Sequence, residues 1–298
     1  MSDEGLPQDL GELFSDGGAG RVLDVNLPPG RLVVPEDGGS GTAPLYWLSD
    51  EPASPDLWVR LHQAHPRSGL WPVFANPSHF DDDRPWVAGE VSPQPVADIG
   101  RVSAGDVLAG FWRAWTGGEH HLGLEGDDPP DMASSLTVAF TVSRDDGFPE
   151  LEPFGPGWPG LAPASDGEQD PDQFADQYVR ENDDGTSRIM LVPAARSADV
   201  LTAVGWQGAV NYVQETFPLS SVLRSWEERF GARLIEAGFD TLRLAVAAPP
   251  VSPGHAELVA AEHFAFCPDN VVQGMSGTVR AYAATGVLRK TGWSFWWD

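Results

Sequence analysis

A single cysteine, Cys267, stands in 298 residues, so the chain has no intrachain disulfide and no multi-cysteine zinc or iron-sulfur set. That scarcity suits a reducing compartment, and the expectation is a soluble, cytoplasmic protein. Lysine is almost absent too: Lys290 alone accompanies 17 arginines against 44 Asp and Glu, giving a formal net charge of −26. A surface this acidic repels phosphate, so direct binding to DNA, RNA or an anionic membrane is not expected. No stretch approaches the ~18 apolar residues that a membrane-spanning helix needs. Residues 1–20 have neither the basic start nor the apolar run of a signal peptide. There is no Gly-x-Ser-x-Gly elbow, phosphate loop or dinucleotide fingerprint. Gly17-Gly-Ala-Gly20 is too loose and acidic a setting to cradle phosphate. No cofactor is implied.

What the chain does have is enough apolar residues, 41%, for one large or two ordinary cores. Its charge is unevenly spread. Residues 187–298 hold ten acidic and nine basic residues, net −1, whereas residues 1–186 hold 34 against nine, net −25. This division and the composition along the chain predict a loose leader over 1–20, an acidic α/β region over 21–147, a Pro/Gly/Asp-rich connector over 148–186, and an α+β domain over 187–298.

In the acidic region, Arg21–Leu27, Arg31–Val34 and Leu45–Leu48 read as short strands. Ser54-Pro55-Asp56 supplies an N-cap, a first-turn proline and an acid for a helix to about His65. Leu70–Ala75 reads as a strand with Pro72 at an edge or at the strand's start. Ser103 opens a helix whose Val107, Leu108, Phe111, Trp112 and Trp115 share one face, and residues 136–142 alternate as a strand. The connector carries one helix signal at Asp170–Tyr178. Its acidic series Asp166, Glu168, Asp170 and Asp172 has the odd-position spacing of a calcium loop. However, Pro171 occupies the glycine position and Gln177 the closing glutamate position, so a solvated charge run is the reading adopted.

Downstream, Arg188–Val192 is a buried-type strand. Ser197 caps a helix ended by Gly205, and Ser220 or Ser221 caps a helix that stops at Gly231. Arg233–Ile235 and Thr241–Val246 form a hairpin around Gly238-Phe-Asp240. Ser252-Pro253 starts a helix through Glu262 and His263 to Cys267, where Pro268 limits it. A short helix near 278–288 and a strand at 293–297 complete the unit. Without strict βαβ order, the fold class is α+β, with a mixed or largely antiparallel sheet and helices packed on one face, in two regions.

The blocks Trp206-Gln-Gly208, Ser225-Trp-Glu227 with Arg229-Phe-Gly-Ala232, Gly238-Phe-Asp-Thr-Leu242, Ala247-Ala-Pro-Pro250, Glu262–Asn270 and Trp293-Ser-Phe-Trp-Trp-Asp298 occur in one order. In these blocks the last ~110 residues resemble the bacterial domain of unknown function 4253. Gly69-Leu-Trp-Pro72 and Trp158-Pro-Gly-Leu-Ala162 are similar to the upstream half of some members. The resemblance implies a domain boundary and no established activity. Its setting is also similar to small bacterial domains proposed as immunity proteins in toxin systems.

Candidate chemistry concentrates in Glu262, His263, Cys267 and Asp269. His263 and Cys267, four apart on a helix, share a face as a base and a nucleophile would. Against that, Cys267 sits at the helix's carboxyl end, where the dipole disfavours thiolate, among aromatics that desolvate it. A buried thiol in an aromatic core is therefore expected, and Glu262 and Asp269 are expected to cap or to pair with Arg229 or Arg233. No metal set is complete: His62, His65 and the His120-His121 pair are nitrogen donors without a motif. Trp112, Trp115, Trp226 and Trp296 fall at core spacings, whereas Trp71, Trp86, Trp158 and Trp206 sit beside Pro or Gly as loop residues. Trp206, Trp226 and Asn270 are the candidate binding residues. Two expectations follow. One is an interaction protein, of immunity-protein type or otherwise, whose acidic surface meets a basic protein partner. The other is a small-molecule enzyme built around Glu262, His263, Cys267 and Asp269.

Overall fold

The computed structural model describes residues 22–39, 42–77, 80–117 and 147–298. The expected leader over 1–20 with its Gly17–Gly20 stretch, the strand at 136–142 and the His120-His121 pair lie outside the described residues. In chain order the elements are β1 (Gly30–Val33), β2 (Tyr46–Ser49), α1 (Pro55–Ser68), β3 (Leu70–Ala75), α2 (Ala104–Trp115), α3 (Pro171–Asn182) and β4 (Arg188–Pro193). There follow α4 (Val200–Val204), α5 (Phe217–Phe230), β5 (Ala232–Ala237), β6 (Thr241–Val246), α6 (Pro253–Phe266), α7 (Asp269–Val272), α8 (Val279–Tyr282) and β7 (Gly292–Trp296).

Among the described residues the strands form one seven-stranded sheet, ordered β1-β2-β4-β3-β5-β6-β7. Every neighbouring pair is antiparallel except β3 and β5, whose parallel register matches Phe74 with Glu236 and Ala75 with Ala237. The α+β class and the mixed sheet are as expected. The composition change near residue 187 does not coincide with a break in the sheet, because β4, downstream of it, lies between β2 and β3 from upstream.

Helices cover both faces, not one, and the strand sequences show why. In β2, Tyr46 and Leu48 join the larger core while Trp47 joins the smaller; in β4, Met190 and Val192 join the larger, Ile189 and Leu191 the smaller. Apolar residues at every position of a strand present two faces to be buried. The smaller core is closed by α1 and α3, through Leu57, Trp58, Leu61, Ala175 and Val179. The larger is closed by α2, α4, α5 and α6. Strand β7 alternates instead: Trp293, Phe295 and Trp297 are buried, and Trp296 points outward at 38% exposure, not into the core as its spacing predicted.

Helix starts written in the local sequence are found where the side chains can reach. Ser54 accepts from Leu57 N–H ahead of α1, and Ser103 accepts from Asp106 N–H ahead of α2. Asp170 and Thr278 do the same ahead of α3 and α8, whereas α5 is capped from afar. Helix α5 begins at Phe217, ahead of the expected Ser220 or Ser221, with Pro218 in its first turn. Its first free N–H groups, those of Thr216 and Phe217, donate to Gln94 Oε1 at 2.9 and 3.3 Å. Ser197 does not cap; it lies within a 3-10 turn, its hydroxyl donating to Glu227 and accepting from Leu234 N–H. Residues 22–29 form no strand, since Pro28-Pro29 removes two ladder donors; Leu23, Val25 and Leu27 pack against the smaller core as irregular chain.

Pro72 occupies a central strand, a correction to its expected edge or starting position. Parallel pairing of β3 with β5 covers only Phe74 and Ala75, so Pro72 lies beyond it. Opposite that gap, Leu234 is served by side chains: its C=O accepts from Trp71 Nε1 at 3.0 Å and its N–H donates to Ser197 Oγ at 3.0 Å. A proline in mid-sheet is tolerated because the ladder bonds it cannot make are replaced. Trp71, expected in a loop, is thereby a buried strand residue.

Candidate functional site

Helix α6 brings Glu262 and His263 into the larger core, with no side-chain surface exposed. Glu262 Oε1 accepts from Ala162 N–H (2.7 Å) and Arg229 Nη1 (2.7 Å), and Oε2 accepts from Trp226 Nε1 (2.8 Å) and Arg229 Nη2 (2.6 Å). The carboxylate is saturated, and it ties the 148–186 stretch to α5 and α6. The expected pairing of Glu262 with Arg229 is present; Arg233 pairs instead with Asp172.

His263 is packed edge-to-face against Trp293, Phe295 and Trp226, with ring centroids 4.5, 4.9 and 5.1 Å away. Its Nδ1 lies 3.2 Å from the Tyr282 hydroxyl, which also accepts from Asn270 Nδ2. Since that amide can only donate, the hydroxyl proton goes to Nδ1 and the ring proton is assigned to Nε2. Among the described residues, Nε2 has no oxygen or nitrogen partner. Burial, reinforced by the Arg229 charge, lowers the imidazole pKa to about 3. The ring is therefore neutral at ordinary pH.

Cys267 is equally sealed, and burial pushes its thiol well above the ordinary range. Its Sγ donates to Trp296 C=O at 2.9 Å and lies 3.7 Å from Asn270 Oδ1. Neither ring nitrogen of His263 bonds to it. Asn270 Nδ2 donates to Ser294 C=O (2.7 Å) while its Oδ1 accepts from Trp296 N–H (3.2 Å). A carboxamide bonding the groups on either side of Phe295 copies what a parallel strand would offer, so Asn270 and Cys267 close the outer edge of β7. Asp269 accepts from Tyr212 Oη at 2.6 Å, Gln273 Nε2 at 3.0 Å and Asp298 N–H at 3.1 Å, and makes no pair with Arg229 or Arg233. Trp226 and Trp206 are buried too; the latter donates to Gly238 C=O at 2.8 Å. Glu262, His263, Cys267, Asp269 and Asn270 thus meet along one wall as a packed corner. Among the described residues, no three His, Cys, Asp or Glu side chains converge as a metal set.

Open space lies elsewhere. A cleft of about 800 Å³ is bounded by the 84–92 segment, residues 207–211, the β5–β6 turn and Trp297-Asp298. Its walls depend on close backbone approaches. Gly205 has φ 71°, and a Cβ there would lie 1.8 Å from the Ser92 carbonyl carbon, so only glycine lets Ser92 N–H reach Gly205 C=O at 2.8 Å. Gly89, at φ 73°, likewise passes beneath the Val34 carbonyl, and its own carbonyl accepts from Glu36 N–H. The Trp206 bond to Gly238 and the bond from Trp297 N–H to Asp240 C=O (3.0 Å) hold the β5–β6 turn in place.

The lining is one-sided in charge. Among the described residues, Glu36, Asp37, Glu90, Asp240 and Asp298 face a single cation, Arg84, while Phe239 supplies aromatic surface backed by Trp297. Arg84 Nε lies 2.7 Å from each Glu90 oxygen, and its guanidinium carbon sits 5.4 Å over the Phe239 ring. Among the described residues, the side chains of Glu36, Asp37, Asp240 and Asp298 have no ion-pair partner. Trp297 is 2% exposed, and its buried indole N–H has no acceptor among the described residues.

Sequence reasoning reached this cleft only through Trp206, a wall support. It missed Arg84, Glu90 and Phe239, because residues at 36, 84–90, 207–211, 239 and 298 meet only in three dimensions. The one available signal was the excess of unpaired acid in the N-terminal half. No curated protein and no solved structure matches the chain. Residues 188–298, from β4 to Asp298, match the family model described as Domain of unknown function (DUF4253), and the resemblance seen in the sequence holds over that stretch.

Proposed function

We propose that the protein is an interaction module that receives a basic segment of a protein partner in the acidic cleft. The observation that carries the reading is the cleft's lining: among the described residues five carboxylates face one arginine, and four of the five have no ion pair, beside the Phe239 ring. Its volume of about 800 Å³ suits one or two side chains of a partner. Phe239 gives the aliphatic stems of Arg or Lys an apolar surface while the carboxylates take the charge. The net charge of −26 would add long-range attraction for a cationic partner. The alternative, an enzyme around Glu262, His263, Cys267 and Asp269, has no comparable support, since those side chains are 0–2% exposed.

The test is fluorescence anisotropy with a labelled peptide rich in Arg and Lys, at low and high salt. Binding is expected at low salt and should weaken steeply as salt rises. In the triple variant Glu36→Gln, Asp37→Asn, Asp240→Asn, three exposed pairings worth about 0.2–1 kcal/mol each are removed, so affinity should fall about tenfold. Binding unaffected by the triple variant, or equal binding of an acidic peptide, would sink the reading.

A further inference from the structure

A cation-binding cleft can prefer ammonium or guanidinium, and Arg84 in its own lining distinguishes them. The Arg84 side chain is about half exposed, at 48%, yet it is held by two contacts inside the cleft. Its Nε edge lies against both oxygens of Glu90, and its face lies over Phe239. A carboxylate at the edge and an aromatic ring at the face together fit a planar guanidinium; a compact ammonium cannot use both at once. Both contacts are made by groups open to solvent, and such contacts exchange readily. Among the described residues, the cleft still keeps unpaired carboxylates at Glu36, Asp37, Asp240 and Asp298.

We infer that Arg84 is a tethered stand-in for the ligand, and that the cleft selects an arginine side chain of the partner, which displaces Arg84 from between Glu90 and Phe239. This rests on the reading of the cleft as a site for a basic segment and adds to it the identity of the cation and a built-in competitor. The competitor lowers apparent affinity by the fraction of molecules in which it occupies the site. It sets a threshold that an isolated lysine does not cross.

The experiment compares two capped pentapeptides, four glycines around a central Arg or a central Lys, titrated calorimetrically at low salt into wild type, Arg84→Ala and Arg84→Lys. Removing the competitor should tighten the Arg peptide about tenfold, the combined worth of an exposed ion pair and a cation-π contact. The Lys peptide should gain less than about threefold, since only the charge change reaches it. Arg84→Lys keeps the charge but cannot make both contacts, so the Arg peptide should still gain. Adding Phe239→Ala to Arg84→Ala should abolish the preference for arginine. Equal gains for both peptides in Arg84→Ala, with none in Arg84→Lys, would mean a plain charge effect and would overturn the displacement, while leaving the acidic cleft as the site. Failure of both peptides, and of the longer basic peptide, to bind any of the three proteins would overturn the cleft reading itself.

Discussion

Acid should destabilise this protein through His263 in a way that can be isolated. In the unfolded chain the imidazole titrates near its ordinary value of 6.5, whereas in the folded core burial and Arg229 lower it to about 3. Between those values the unfolded state binds a proton that the folded state does not, so stability falls as pH falls through that window and is unaffected by this group above it. A tenfold difference in proton affinity between the two states is worth about 1.4 kcal/mol, so the loss reaches about 2 kcal/mol at about pH 5 and about 4 kcal/mol near pH 3. Against a typical total of about 5–15 kcal/mol, this is a large share. The physical cause is the ring cage: Trp293, Phe295 and Trp226 pack around a ring with no exposed surface, and among the described residues Nε2 has no acceptor that could stabilise a cation. Urea unfolding of wild type and of His263→Phe, at about pH 7 and about pH 5, separates the histidine's contribution from that of every other titrating group. Wild type should lose about 2 kcal/mol more than the variant between the two conditions. Parallel losses in the two proteins would refute the argument, because a ring that titrates equally in both states contributes no slope.

Glu262→Gln should destabilise the fold by about 3–5 kcal/mol, lowering the melting temperature by roughly 10 °C in calorimetry, because it strips a charge from a pair with no solvent access on the carboxylate side. The double change Glu262→Leu with Arg229→Met should recover part of that loss, and a single-variant loss below about 1 kcal/mol would show that the pair is not effectively buried. Cys267 should resist alkylation at neutral pH in the native protein and react only as urea unfolds the chain, since its thiol is sealed and its pKa raised by burial. Rapid stoichiometric labelling without denaturant would contradict that.

What could be read from residue order was whatever neighbouring residues settle among themselves. Ser54 and Ser103 cap helices because their hydroxyls reach N–H groups only three residues on. The apolar periodicity of α2 shows which face it buries. Cys267 was expected in an aromatic core, and its place at a helix's carboxyl end bears on that, because dipole and desolvation act locally. The readings that failed depend on distant partners: Gln94 starting α5, Trp71 and Ser197 serving Leu234 beside Pro72, and the two-sided burial of β2 and β4.

The sequence alone determined the α+β class, the absence of cysteine staples, the acidic balance and most helix ends, because composition, spacing and caps act over a few residues. Only the tertiary structure decided that β4 lies between strands from the other half of the chain and that the acids of four separate segments line one cleft. Pairing of strands and convergence of loops are long-range choices, set by which surfaces can be buried together, and no single stretch of residues encodes them.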